Sequence, residues 1–252
     1  MIYFVGAGSG AVDLITVRGA KLLEQADIII YAGSLVNPEL LTYASEKCQI
    51  YNSAKMTLEE VTDVFLDDKN SEKMVVRLHT GDPCLYGAIR EQMDVLDSKN
   101  MAYEYVPGVS SFCGAASALK TEYTLPDVSQ TVIITRQEGR TPVPEGEKMR
   151  KLASHGSTMV IFLSTGLIPK LVEELYAGGV FTENTPAAIV YKATWDDEKV
   201  FRCNLATLEK TAKENNITKT ALITVGDFLG DEYSRSKLYD PSFTTEYRQA
   251  SI

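Results

Sequence analysis

The chain has 252 residues, 44% hydrophobic and 23% charged, the balance of a globular protein with one large domain or two modest ones. Lysine and arginine total 25 against 34 acidic residues, and the net charge of −9 argues against nucleic acid, whose phosphates need neutralising cations. No apolar run approaches the roughly 20 residues that span a bilayer. The four cysteines, Cys48, Cys84, Cys113 and Cys203, form no CxxC pair of the kind that holds zinc or iron–sulfur clusters.

The opening MIYFVGAG reads as a strand entering a glycine turn, without the basic leader of a secreted protein. A reduced, cytoplasmic setting is therefore expected. A first strand is predicted over 2–5 and a helix over 12–25, with Thr16, Ala20 and Leu23 recurring on one side. A strand at 27–31 and a weaker one at 48–51 follow. Thr57 and Glu60 have capping-box spacing at the head of a helix over 57–65. Then come a strand at 74–78, a helix at 88–96, a strand at 102–106 and a helix at 111–119. This alternation predicts a mostly parallel sheet with helices on both faces.

The segment 120–130 keeps neither period, and the domain boundary is placed there. The expected organisation is an α/β domain over 1–120, a second α/β domain over 121–235 and a tail over 236–252. Strands are predicted at 131–135, 158–163, 187–191, 199–202 and 221–225, with helices at 168–176 and 205–214. The two β-rich runs joined by ATWDDE read as a hairpin, so the second sheet should contain antiparallel pairs.

Three predicted strands of the first domain end in glycine or serine loops. In VVRLHTGDPCLYG, Gly81 lets a ligand approach the main chain, and Pro83 forces Asp82 into an extended conformation. Such loops carry ligands at the carboxyl ends of open sheets, but they also serve as plain strand-to-helix turns. GAGSG, from Gly6 to Gly10, fails the dinucleotide pattern GxGxxG, so a nicotinamide or flavin cofactor is disfavoured. In PGVSS, Ser110 or Ser111 can cap a helix or bond a polar ligand. GVSSF is not GxSxG, and His79 and His155 stand in no triad order. No catalytic nucleophile, protein-bound metal or paired carboxylate is predicted. A polar small molecule held in a cleft between the domains, in a reaction that needs positioning more than covalent catalysis, fits these features.

Four segments carry a family resemblance: VGAG near the start, YAGSLVNPELL (31–41), RLHTGDPCLYGAIREQMD (77–94) and VPGVSSFCGAASAL (106–119). Together they resemble tetrapyrrole (corrin/porphyrin) methyltransferases over residues 1 to about 230. TLPDVSQTVIITRQEGRTPVPEGE (124–147) is similar to the branch that methylates C11 of precorrin-4 or cobalt-precorrin-4 in cobalamin synthesis. The chain departs from the family's first glycine loop, where proline commonly follows GAG, by carrying Ser9.

The resemblance implies two α/β domains of the class III methyltransferase type, not Rossmann-type, and a homodimer. It implies S-adenosylmethionine as methyl donor and S-adenosylhomocysteine as product. The implied cofactor shell is Ser9, Thr80, Gly81, Asp82, Leu85, Tyr86, Ser110, Ser111, Leu163, Ala193 and Ala221. Among Arg77, Arg90, Arg136, Arg140 and Lys192, the arginines 136 and 140 are the first candidates to hold the substrate's carboxylates. The alternatives are a tetrapyrrole methyltransferase acting elsewhere, as on uroporphyrinogen III, and a non-catalytic binding protein of the same fold. Whether the substrate carries cobalt stays open.

Overall fold

The apolar runs of the first half build a five-stranded sheet, all parallel, in the computed structural model, which describes residues 1–251. Its strands are β1 (Ile2–Gly6), β2 (Ile28–Tyr31), β3 (Gln49–Asn52), β4 (Val75–His79) and β5 (Tyr103–Val106), in the order β3-β2-β4-β1-β5. Both faces are covered, as expected. Side chains alternate along each strand, so Ile2, Phe4, Ile28, Ile30 and Val75 pack on one side with Val61 and Phe65 of α2 (Leu58–Leu66) and Leu96 of α3 (Arg90–Ser98). Val5, Ile29, Val76 and Leu78 pack on the other with Leu22 and Leu23 of α1 (Val17–Gln25), and with Val36 and Leu40. The last helix of this half is α4 (Ser111–Leu119).

The predicted helix over 12–25 is broken. Val12–Leu14 makes one 3₁₀ turn, Ile15 and Thr16 are extended, and α1 begins only at Val17. The reason is local: the Thr16 hydroxyl accepts from the Gly19 amide at 3.0 Å, a cap that requires non-helical backbone at Thr16. The capping box forms as spaced, with Thr57 and Glu60 each accepting the other's amide. Within YAGSLVNPELL, Asn37 caps a 3₁₀ stretch, Pro38–Tyr43, that the sequence pattern does not reveal.

The second half forms a mixed sheet in the order β6-β7-β10-β8-β9. Its strands are β6 (Val132–Arg136), β7 (Thr158–Phe162), β8 (Pro186–Tyr191), β9 (Lys199–Asn204) and β10 (Ala221–Val225). β6 and β7 are parallel; the remaining pairs are antiparallel, including the β8–β9 hairpin. One core joins Met159, Ile161, Ile189 and Ile223 to α5 (Met149–Ala153), α6 (Ile168–Ala177) and α7 (Leu208–Glu214). α5 is too short to show a period.

By internal contacts, one unit is Met1–Ala118 together with Lys192–Glu198; the other is Leu119–Tyr191 together with the described residues from Lys199 onward. The tip of the β8–β9 hairpin thus groups with the first unit, where the sequence reading keeps 121–235 whole. Among the described residues no helix is long and apolar enough to cross a membrane.

Candidate active site

In the first unit, β1, β4 and β5 lie side by side and end together, which brings three loops to one edge of the sheet. Parallel strands place all their carboxyl ends on the same side, so loops separated in sequence meet there. Gly8 and Gly81 exchange two main-chain hydrogen bonds, at 2.8 and 3.2 Å. A Cβ added to Gly6 would stand 2.6 Å from the Gly108 Cα, and one on Gly108 only 2.3 Å from the Gly81 carbonyl. Glycine at these positions lets the three loops touch backbone to backbone. Gly81 itself is left-handed (φ +59°), and a Cβ there would lie 3.3–3.4 Å from Ser110 and Ser111. Gly81 therefore stands directly against the serine pair.

Asp82 fastens this edge. One carboxylate oxygen accepts from the Cys84 amide at 2.8 Å and from the Tyr105 hydroxyl, and the other from the Gly108 amide at 2.9 Å. Burial raises its carboxyl, but these hydrogen bonds outweigh burial and hold it below the ordinary carboxylate range. Three of about four acceptor positions are thus engaged within the protein. Beyond Asp82 the loop curls on itself, with Tyr86 (φ +58°) and Ala88 (φ +49°) in left-handed conformations and Tyr86 half exposed. Leu85 is half-buried beside it.

The glycine loop is fixed from the hairpin tip. Thr194 Oγ1 lies 3.0 Å from Ser9 Oγ and accepts from the Ala11 amide at 3.1 Å. A Cβ on Gly10 would fall 2.1 Å from the Trp195 ring, so only glycine admits the indole. Asn37 of the YAGSLVNPELL segment donates to the Gly10 carbonyl at 3.0 Å. Ser9 is buried, and its hydroxyl points to Thr194. Ala193 is buried between Lys192 (φ +46°) and Thr194 (φ +69°). Non-glycine residues in left-handed conformations cost energy and cluster at ligand sites.

In the second unit, Leu163 follows β7 with φ +52° and is 64% exposed. A core leucine would have neither property. Ala221 is half-buried at the start of β10. Arg136 donates to the carbonyls of Thr141 (3.2 Å) and Pro142 (2.8 Å) and so ties down its own loop. Arg140 is exposed on that loop, without an ion pair among the described residues.

Two candidate cations fall away. Arg77 is buried within the sheet, bonded to Gln92 and the Ile30 carbonyl at 3.1 Å each, and burial lowers its pKa to about 10. It faces the α2–α3 side of β4, inside the core, and cannot meet substrate. Arg90 is spent on Asp94 one helical turn away. His79 is buried too, with Nε2 unpartnered, and burial followed by the nearby Arg77 charge lowers its pKa to about 3. It is a neutral packed histidine. Sequence reasoning missed Tyr105, Thr194 and Trp195. Trp195, the chain's one tryptophan, lies in a polar hairpin tip, and that was the available signal.

The family model of Tetrapyrrole (Corrin/Porphyrin) Methylases matches residues 1–209. The chain belongs to this tetrapyrrole methylase family. It is 55% identical over 250 residues to a cobalt-precorrin-4 C(11)-methyltransferase of Methanocaldococcus jannaschii, covering 99% of this chain and 96% of that protein. A crystal structure of a cobalt precorrin-4 methyltransferase superposes with a TM-score of 0.88 at 47% identity, over 91% of this chain and 96% of the other. A uroporphyrin-III C-methyl transferase from Thermus thermophilus, solved with S-adenyl homocysteine, shares the fold of the tetrapyrrole methylases at 24% identity and a TM-score of 0.75, over 90% and 92%. Both α/β units are those of this fold.

Proposed function

We propose that this chain transfers a methyl group from S-adenosylmethionine to C11 of cobalt-precorrin-4, or of its cobalt-free counterpart, in cobalamin biosynthesis. The observation that carries the reading is the 55% identity to a C11 enzyme across nearly the full length of both chains. The glycine edge supports the cofactor reading: Gly6, Gly81 and Gly108 let three strand-end loops pack main chain against main chain at the carboxyl edge of the sheet. Thr80, Gly81, Asp82, Leu85 and Tyr86, with Ser110 and Ser111, would hold its methionine portion. Leu163, Ala193 and Ala221 would hold its adenosine. Ser9 supports the site through Thr194.

When bound, S-adenosylmethionine supplies an electrophilic methyl on a sulfonium, and the nucleophile is a carbon of the macrocycle. The protein's share is to bind both molecules, align them and exclude water. Braced loops are suited to that, because alignment is lost when the walls move. Arg140, exposed and without an ion pair among the described residues, would meet the macrocycle's carboxylates. Arg136 would shape the loop that carries it. Any cobalt belongs to the substrate. The homodimer expected from the resemblance and the cytosolic location expected from the cysteine pattern and the opening residues are part of the same proposal, and sedimentation tests the first.

Turnover tests the reading. The protein, S-adenosylmethionine and enzymatically made cobalt-precorrin-4 or precorrin-4 should give S-adenosylhomocysteine in proportion to methylated product. The faster of the two substrates identifies the route. A folded protein that binds S-adenosylhomocysteine yet turns over neither would refute the proposed activity.

A further inference from the structure

Tyr105 lies two residues ahead of the Pro-Gly turn on β5, and no motif of the chain includes it. Its hydroxyl donates to Asp82, and the same oxygen accepts from the Cys84 amide at 3.1 Å. Asp82 in turn holds the Cys84 amide from the other side and the Gly108 amide across the loops. The phenol is thus a side-chain donor in a clasp that fixes the Gly-Asp-Pro loop against the loop after β5. Burial, then the Asp82 carboxylate, raises the phenol's pKa, so it stays a donor at any working pH.

The Gly81 carbonyl and the Gly108 backbone approach so closely that the clasp governs where both main chains stand. The geometry points to Tyr105 as a positioning residue that sets cofactor affinity by orienting Asp82 and, through it, the Gly81 and Gly108 backbones. This inference rests on the proposed cofactor reading. It narrows Asp82 as well: with three protein donors on its carboxylate, Asp82 acts first as a brace between loops and only secondarily as a ligand contact.

Tyr105→Phe removes the hydroxyl and keeps the ring, so packing on β5 is retained. S-adenosylhomocysteine affinity is measured by calorimetry for wild type, Tyr105→Phe, Asp82→Asn and the double variant, alongside steady-state kinetics. A lost hydrogen bond to a charged group corresponds to roughly a tenfold weakening. Tyr105→Phe should weaken binding to about that extent and raise the KM for S-adenosylmethionine, with kcat and the tetrapyrrole KM nearly unchanged. General loosening of the fold would instead lower kcat by reducing the active fraction. Because Tyr105 acts through Asp82, its effect should shrink strongly in the Asp82→Asn background.

Unchanged affinity in Tyr105→Phe overturns the inference, and so does a full-sized effect persisting in Asp82→Asn. If Tyr105→Phe does not fold, Asp82→Asn alone decides, since undiminished affinity there removes the clasp from the cofactor site. Wild-type protein that binds no S-adenosylhomocysteine defeats the cofactor reading, and this inference with it.

Discussion

Gly108→Ala probes the contact on which the loop edge depends. Gly108 is not left-handed, so alanine tests the close approach of the chains without added backbone strain. The new methyl would lie 2.3 Å from the Gly81 carbonyl oxygen, 2.7 Å from the Gly6 Cα and 2.8 Å from the Gly6 carbonyl carbon. Ordinary carbon contacts lie at about 3.5–4.0 Å, so the neighbours must retreat by about 1 Å. All three belong to backbone held in the parallel sheet or its first turn, and no side chain can swing aside. Overpacking of this kind costs about 1–3 kcal/mol. At roughly 2–4 °C per kcal/mol for a chain of this size, the melting temperature should fall by several degrees. S-adenosylhomocysteine affinity should fall further than stability does, because the displaced atoms are the proposed floor of its site. Gly146→Ala is the control: nothing lies within 4 Å of its added methyl, so stability should change by no more than about 0.5 kcal/mol. Calorimetric melting and titration read both quantities. A Gly108→Ala protein that melts and binds like the Gly146→Ala control would refute the close-approach reasoning.

Thr194→Val should release the glycine loop, leaving the Ala11 amide unpaired, for about 1–3 kcal/mol. Because Trp195 is the one tryptophan, its fluorescence should shift with the loop, and a spectrum and melting point equal to wild type would count against the clasp. Arg140→Ala should raise the tetrapyrrole KM with cofactor affinity intact, whereas Arg136→Ala should also increase proteolysis of its loop, having lost two carbonyl contacts. If either variant loses cofactor affinity while using tetrapyrrole normally, the substrate assignment fails. His79 titrates near 6.5 when unfolded and near 3 when folded, so acid protonates the unfolded chain first and stability is lost as pH falls from about 6.5 towards 3. That amounts to about 2 kcal/mol by pH 5 at 1.36 kcal/mol per pH unit. Denaturant titrations of wild type and His79→Gln should show the variant losing less stability over that interval; parallel curves would contradict it.

The central strands of both sheets were legible because buried strands are near-continuous apolar runs closed by glycine and polar residues, as at 74–81 and 221–226. Helix ends were legible where a side-chain cap marks them, as at Thr57, and misread where a threonine inside an apparent period proved to be the cap, as at Thr16. The 3₁₀ stretch Pro38–Tyr43 and the five residues of α5 lie below the length at which periodicity shows. At the site, the glycines announced themselves because a bare backbone has one-residue signatures. Tyr105 and Thr194 did not, since each acts through a partner 23 or 185 positions away, and only the fold supplies that pairing. Arg77, one of five candidate cations but not one of the first two, drops out for the opposite reason. An arginine in an apolar strand looks like a substrate contact until Gln92, on a different element, is seen to accept from it.

The position of the transferred methyl tests the central claim most directly. The protein should be incubated with S-adenosylmethionine carrying a ¹³C-labelled methyl and with cobalt-precorrin-4, in parallel with precorrin-4, and the product examined by NMR. The account predicts a single labelled methyl on C11. Label on another ring carbon would keep the methyl transfer and contradict the C11 assignment, and no label in either macrocycle, from folded protein that binds S-adenosylhomocysteine, would contradict the activity itself.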